Sequence, residues 1–244
     1  MVSYTFGDDE PAVQRLALVS SAYELVSRSF LAEHSPADVD VALDLGCGPG
    51  FSTQLLDDVC APRTLIGLDS SPQFLDKARA RLPAARFETH DVTVTPLPGA
   101  PARVIYARLL LAHLPDPLGI AERWRTALAP RGVLLIEDLE NIEAPPGPLS
   151  TYDEVSADVV RGGGGLMHAG AELARLGGRC TAVSVPAALA ATIYLLNVRR
   201  WLAAPKTRVP QRHLTDLEAG LGMIAHDDGS EKVSWIVRQL VIPA

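Results

Sequence analysis

Cysteine, lysine and aromatic residues are scarce in this sequence, and each shortage removes a class of protein. Only three cysteines, Cys47, Cys60 and Cys180, occur among 244 residues, with no CxxC spacing. An odd count cannot pair completely, so neither a disulfide framework nor a zinc ribbon is offered, and a reduced, cytoplasmic protein with no metal is expected. The opening MVSYTFGDDE lacks the basic and apolar regions of a signal peptide. Long hydrophobic runs are missing as well. The most apolar stretch, Val183 to Leu196, is broken by Ser184, Pro186 and Thr192, short of the ~20 residues that a membrane span needs. Positive charge is in the minority, with 22 Lys and Arg against 29 Asp and Glu for a net charge of −7. No nucleic-acid and no membrane partner is therefore expected. Hydrophobic residues at 48% and charged residues at 21% leave an ordinary globular balance, able to bury roughly 70–75% of the unfolded surface. Arginine outnumbers lysine 19 to 3, which with abundant Ala, Gly and Pro suggests a high-GC bacterial coding sequence.

What is present is an alternation of strands and helices. Residues 11–33 read as a helix, with Asp8, Asp9 and Glu10 at its positive end and Pro11 in its first turn. Its apolar face is read as Val13, Leu16, Ala17, Ala22, Leu25, Val26 and Phe30. Strands are expected at 39–45, 64–68, 85–89, 103–106 and 133–137, and helices at 51–59, 72–82 and 117–128. That order predicts an α/β fold with a doubly wound, mostly parallel sheet and right-handed crossovers. After residue 140 the rhythm changes. Ala144–Pro148 reads as a linker and Gly162–Gly165 as a hinge, with broken helix over 150–176. A strand at 180–185, helices at 187–203 and 213–221, and a last strand at 234–241 complete seven strands. A single domain over 1–244 is expected: a lid (1–35), a core (36–140), a helical cap with one strand (141–232) and the final strand (233–244).

One turn carries chemistry. In Leu43-Asp44-Leu45-Gly46-Cys47-Gly48-Pro49-Gly50 the first strand hands over to a helix, and glycines there let backbone approach a ligand. The dinucleotide fingerprint needs a third glycine where Phe51 stands, and no tyrosine has a lysine four residues on. A nicotinamide-dependent oxidoreductase is therefore the weaker reading. The G-x-G-x-G pattern with its preceding acid resembles the class I S-adenosylmethionine-dependent methyltransferases. Two further segments resemble their ubiquinone/menaquinone-biosynthesis-like and trans-aconitate-methyltransferase-like branch: Tyr106–Pro117, with Arg108, His113 and Asp116, and Leu128–Asp138. The opening Tyr4-Thr-Phe6-Gly7, with Arg15-Leu16 downstream, is similar to the lid of such enzymes.

The resemblance implies a Rossmann-like methyltransferase fold, S-adenosylmethionine as cofactor with S-adenosylhomocysteine as product, and a small-molecule acceptor. It implies cofactor contacts from Asp44, Gly46, Cys47, Gly48 and Gly50. Asp69 would take the ribose hydroxyls, Ser70 would face the adenine, Asp91 would accept its amino group, and Val92 would also contact the cofactor. Arg108 would reach a carboxylate of cofactor or substrate, or else form a surface or fold-stabilising ion pair, and Tyr4, in the lid segment, would contact the cofactor. Methyl transfer from a sulfonium is an in-line displacement that asks mainly for alignment and exclusion of water. His113 is the candidate base, or a packing residue. Asp138, after the fifth strand, orients substrate or caps a loop. His168 follows the four glycines and reads as a solvated loop residue. Between Leu173 and Thr215 there is no acid, whereas Arg175, Arg179, Arg199, Arg200, Lys206, Arg208 and Arg212 are all present. They form a solvated basic face or meet an acidic substrate. Trp201 and Trp235 either pack in the core or wall an aromatic acceptor. O-methylation in bacterial secondary metabolism is the first expectation, with N- or C-methylation or cofactor binding without transfer as alternatives. A monomer or homodimer is expected.

Overall fold

The computed structural model describes residues 6–203, 209–227 and 229–244. Its first half follows the expected alternation: α1 (Glu10–His34), β1 (Val41–Leu45), α2 (Phe51–Cys60), β2 (Thr64–Asp69), α3 (Pro72–Arg81), β3 (Arg86–Thr89), β4 (Ala102–Arg108) and α4 (Pro117–Arg125). The second half contains β5 (Leu128–Glu143), α5 (Pro148–Gly162), α6 (Ala169–Leu173), β6 (Arg179–Pro186), α7 (Ala187–Ala203), α8 (Gln211–Ala225) and β7 (Lys232–Pro243). The seven strands form one sheet in the order β3-β2-β1-β4-β5-β7-β6. The first five are parallel, while β7 runs antiparallel to β5 and to β6.

The apolar runs of the central strands have a direct cause, since both faces are covered. Leu43, Ile105 and Leu134 enter one core, and their neighbours Ala42, Val104 and Val133 enter the other. Local signals stop and start the helices. Asp9 accepts the Ala12 amide, Ser71 the Phe74 amide and Asp116 the Gly119 amide, each at the N-terminus of a helix. Among the described residues no helix is long and apolar enough to cross a membrane.

Two expectations need correction. The buried face of α1 is not the apolar stripe read from the sequence. It carries Ala12, Arg15, Ser20, Tyr23, Ser27 and Phe30, whereas Leu25 is 76% exposed. The helix lies over the C-terminal edge of the sheet, where polar groups have partners, so polarity on this face is stabilised rather than excluded. Strand β5 is also much longer than the five residues expected. Its continuation to Glu143 pairs with β7 out to Ser234, which holds an otherwise polar segment in the ladder. Helix α5 ends at Gly162, the first of the four glycines, and the Leu166 amide donates to the Ala112 carbonyl at 2.8 Å, docking this loop on the 111–113 turn.

Candidate active site

A cavity of about 550 Å³ opens where β1, β2 and β4 end. Such volumes suit a small ligand pocket, about 300–1,000 Å³. Its floor is the glycine turn. Gly46, Gly48 and Gly50 have φ of +62°, +52° and +84°, which side-chain-bearing residues adopt at a cost. They serve different ends. A Cβ on Gly48 would meet only Leu16 Cδ1, at 3.8 Å, and would enter the cavity. A Cβ on Gly50 would press on Ala78 at 3.1 Å, so this glycine lets α2 and α3 pack closely and is not on the cavity wall.

Asp69, half-buried at the end of β2, lies on the wall and binds the turn as well. Its Oδ2 accepts the Gly48 amide and its Oδ1 the Ser71 amide, each at 2.8 Å. Burial raises its carboxyl above the ordinary range against these amides. Ser70, Cys47 and Val92 share the wall. Asp91 does too, and it is held ionised: the Thr93 hydroxyl and amide lower its pKa through bonds of 2.7 and 3.0 Å. The Val92 carbonyl accepts from the fully buried Trp124 indole at 2.8 Å, which anchors this loop. Phe51 also faces the cavity, with the Arg81 guanidinium stacked 3.8 Å from its ring centre.

Asp44 is placed differently from the sequence expectation. It is fully buried behind the turn, off the cavity wall, and its Oδ2 accepts from Ser52 and Thr53 at 2.7 and 2.6 Å. Its Oδ1 has no hydrogen-bond partner among the described residues. Burial pushes it up to about 6. Asp44 thus supports the turn from beneath. Tyr4 lies outside the described residues.

The middle of the cavity gathers two guanidinium groups. Arg108 donates to the Ser20 and Ser27 hydroxyls at 3.0 and 3.3 Å. Arg15 comes from the buried face of α1 and lies 5.0 Å from the Phe6 ring centre. The sequence reading missed Arg15 as a site residue. The available signal was its helical spacing with Val19 and Tyr23, which also line the cavity. His113 stands beside it, edge-on to Phe6 at 5.4 Å. Desolvation first, then the charge of Arg15, pushes its imidazole down to about 3. It is therefore neutral at physiological pH, and a weak proton acceptor.

Asp138 is not past the end of the fifth strand but within it. Its Oδ2 takes the Leu111 amide at 2.8 Å and its Oδ1 its neighbour Leu139 at 3.0 Å, so it orders the turn that presents His113. Burial pushes it up to about 7 against these amides. The native state then keeps a proton that the unfolded chain releases near pH ~4. This contribution to stability is full below about pH 4 and is lost as pH rises through about 7. His113 acts in the opposite sense, its contribution being lost as pH falls from about 6.5 to about 3. Wild-type stability relative to Asp138→Asn should accordingly decline between about pH 4 and 7 in urea denaturation; a constant difference would contradict this placement.

The far end of the cavity is aromatic, lined by Tyr23, Tyr152, Tyr194 and Trp235. Trp235 is on the wall, while Trp201 packs behind it in the same cluster. The late arginines turn away. Arg175 pairs with Glu172, Arg179 with Glu33, Arg199 with Glu218 and Arg200 with Asp9, and none of them lines the cavity. Lys206 and Arg208 lie outside the described residues. His168 is paired rather than merely solvated, its Nε2 2.9 Å from Asp153 Oδ1.

The geometry fits a nucleoside with an amino-acid tail. The space over Gly48 would be filled by a Cβ, carboxylates stand at the ends of β2 and β3, and a guanidinium waits beyond the turn. Comparison with known proteins agrees. Residues 43–136 match the family model of a methyltransferase domain. Trans-aconitate 2-methyltransferase from Variovorax paradoxus is 42% identical over 125 residues, covering 51% of this chain and 46% of that protein. The enzyme of the same name from Methylobacterium nodulans is 40% identical over 125 residues, with the same coverage. The match thus spans just under half the length of these relatives. A proposed methyltransferase from Bacillus halodurans shares the fold over 90% of this chain and 98% of its own, at 13% identity and a TM-score of 0.55. The glycine turn and the strand-end acids thus fall inside the matched stretch: residues 43–136 carry a methyltransferase domain similar to that of the trans-aconitate 2-methyltransferases, and S-adenosylmethionine is the cofactor that this site fits.

Proposed function

We propose that the chain methylates a carboxylate oxygen of a small organic acid. The observation that carries this reading is the centre of the cavity: two guanidinium groups, Arg15 and Arg108, beside an imidazole held neutral. A carboxylate is already ionised at neutral pH and needs no base, whereas an alcohol or ammonium acceptor would. His113, with its pKa near 3, and Asp138, with both oxygens on backbone amides, are poorly suited to that task. The relatives' name, trans-aconitate 2-methyltransferase, points the same way.

The bound cofactor supplies a methyl group activated by a positively charged sulfur. The chain supplies the rest. Gly46, Cys47 and Gly48 offer backbone to the cofactor, and Asp69 accepts the ribose hydroxyls. Asp91 and Val92 hold the adenine edge. One guanidinium holds the cofactor's carboxylate and the other the acceptor's, aligning an oxygen for in-line attack. Helix α1 and the aromatic end exclude water. Asp44 acts through the turn that it supports.

Equilibrium dialysis with S-adenosylhomocysteine tests the cofactor site; no binding at millimolar ligand would end this reading. Incubating S-adenosylmethionine with organic acids and their amides tests the acceptor. An alkali-labile methyl ester from the acids alone is expected, and methylation of the amides instead would refute it. His113→Asn keeps a hydrogen-bonding side chain and should lower kcat by less than about tenfold, because removing a true general base costs about 10²–10⁴. A loss in that larger range would restore His113 as the base.

A further inference from the structure

We propose that the acceptor is a planar aryl monocarboxylic acid bearing a polar substituent opposite its carboxyl group, a substrate class that rests on the carboxylate reading above. The chain has only five Phe, five Tyr and three Trp, yet it gathers six of them in one arc beside the cavity. Tyr152 stacks on Tyr194 at 3.8 Å and 7°, and on Trp201 at 5.8 Å and 12°. Trp235 joins Tyr194 at 6.3 Å and Tyr23 at 5.6 Å, while Phe6 meets Trp201 at 6.0 Å. All except Trp201 line the cavity. Flat, rigid faces of this kind favour a flat ring by offset or edge contact, beyond the area buried.

The polar groups at this end are few and directed. The Trp235 indole donates to the Tyr194 oxygen at 2.8 Å, which fixes the phenol as an acceptor there and leaves its proton to donate elsewhere. The Tyr23 hydroxyl makes no hydrogen bond with a described residue. Asn197, buried on the same wall, donates to the Tyr152 oxygen at 2.5 Å. Two phenol protons thus await an acceptor such as a hydroxyl or carbonyl oxygen. The rest of this end is apolar: Leu139, Ile142, Met167 and Ile193. Of the three arginines on the wall, Arg123 is paired with Asp116 at 3.8 Å, which leaves Arg15 and Arg108, one of which meets the cofactor's carboxylate. That leaves one guanidinium for one acceptor carboxylate. A tricarboxylate would set its other charges against electron-rich ring faces, which disfavour anions.

In the step itself, a lone pair of the acceptor carboxylate forms the new O–C bond as the C–S bond breaks. The bonding pair stays on sulfur, leaving a neutral thioether and a methyl ester with no proton released.

The test uses the full chain with S-adenosylmethionine and four probes: 4-hydroxybenzoate, benzoate, cyclohexanecarboxylate and trans-aconitate. Benzoate should exceed cyclohexanecarboxylate at least tenfold in kcat/KM, and 4-hydroxybenzoate should exceed benzoate. Trans-aconitate should be the poorest. Trp235→Leu should shrink the ratio of benzoate to cyclohexanecarboxylate, mainly through KM, with S-adenosylhomocysteine affinity within twofold of wild type. Tyr194→Phe, which removes one oxygen in place, should abolish the preference for the 4-hydroxy group and keeps the proposal testable if the tryptophan variant fails to fold. Equal efficiency with benzoate and its saturated counterpart, or a preference for trans-aconitate, would overturn the proposal. An alkali-stable methyl ether from 4-hydroxybenzoate would overturn the carboxylate reading beneath it while leaving the aromatic subsite standing.

Discussion

Gly48→Val is expected to abolish the rise in melting temperature that S-adenosylhomocysteine produces, while the circular dichroism of the protein stays close to wild type. Two separate features give that outcome. The backbone at Gly48 has φ +52°, and a side chain there costs roughly 1–2 kcal/mol. For a chain of this size that corresponds to about 2–8 °C in Tm, which a folded protein survives. The added side chain would not strike the protein, since the nearest atom to a Cβ is Leu16 Cδ1 at 3.8 Å. It would instead stand in the cavity above the turn, in the space assigned to the cofactor. Gly48→Ala should show the same loss in weaker form. A wild-type shift in the valine variant would mean that the cofactor does not sit on this turn.

The second large effect is expected at Asp69. Asp69→Ala should lower affinity for S-adenosylhomocysteine by about a hundredfold or more, because two charge-assisted bonds to the ribose hydroxyls, each worth about 1.5–3 kcal/mol, are lost. An acid facing only an empty cleft would leave stability almost unchanged, within about 1 kcal/mol. The structure revises that expectation. Asp69 also accepts the Gly48 and Ser71 amides, so the alanine variant should unfold about 1–3 kcal/mol more easily in urea. Asp69→Asn should be intermediate on both scales, since an amide can accept one of these bonds without the charge. Unchanged affinity with lowered stability would mean that Asp69 only ties the turn to α3.

Gly46, Gly48 and Asp69 were legible because they stand at the ends of short apolar runs, and Asp91 because it follows the next strand; strand ends in an open parallel sheet lie on one edge. Gly50 and Asp44 belong to the same motif but act behind it, one by close packing against Ala78 and the other by holding Ser52 and Thr53. Residue order cannot distinguish a glycine that faces a ligand from one that faces a helix. Arg15 was passed over for a related reason. A helix that covers a polar edge buries polar groups, so its inner face does not show the apolar period by which faces are read.

The sequence by itself determined the alternation of elements, the parallel core, the glycine turn and the acids beside it, because hydrophobic period, caps and glycine placement are local and act within a few residues. The aromatic end of the cavity was decided only by the tertiary structure. Tyr23 on α1, Tyr152 on α5, Tyr194 on α7 and Trp235 on β7 are separated by up to 212 positions. They meet because β7 folds back antiparallel on the extended β5 and brings the cap helices against α1. The ionisation of His113 and Asp138 likewise follows from desolvation by distant elements, a property of the enclosure rather than of the residues themselves.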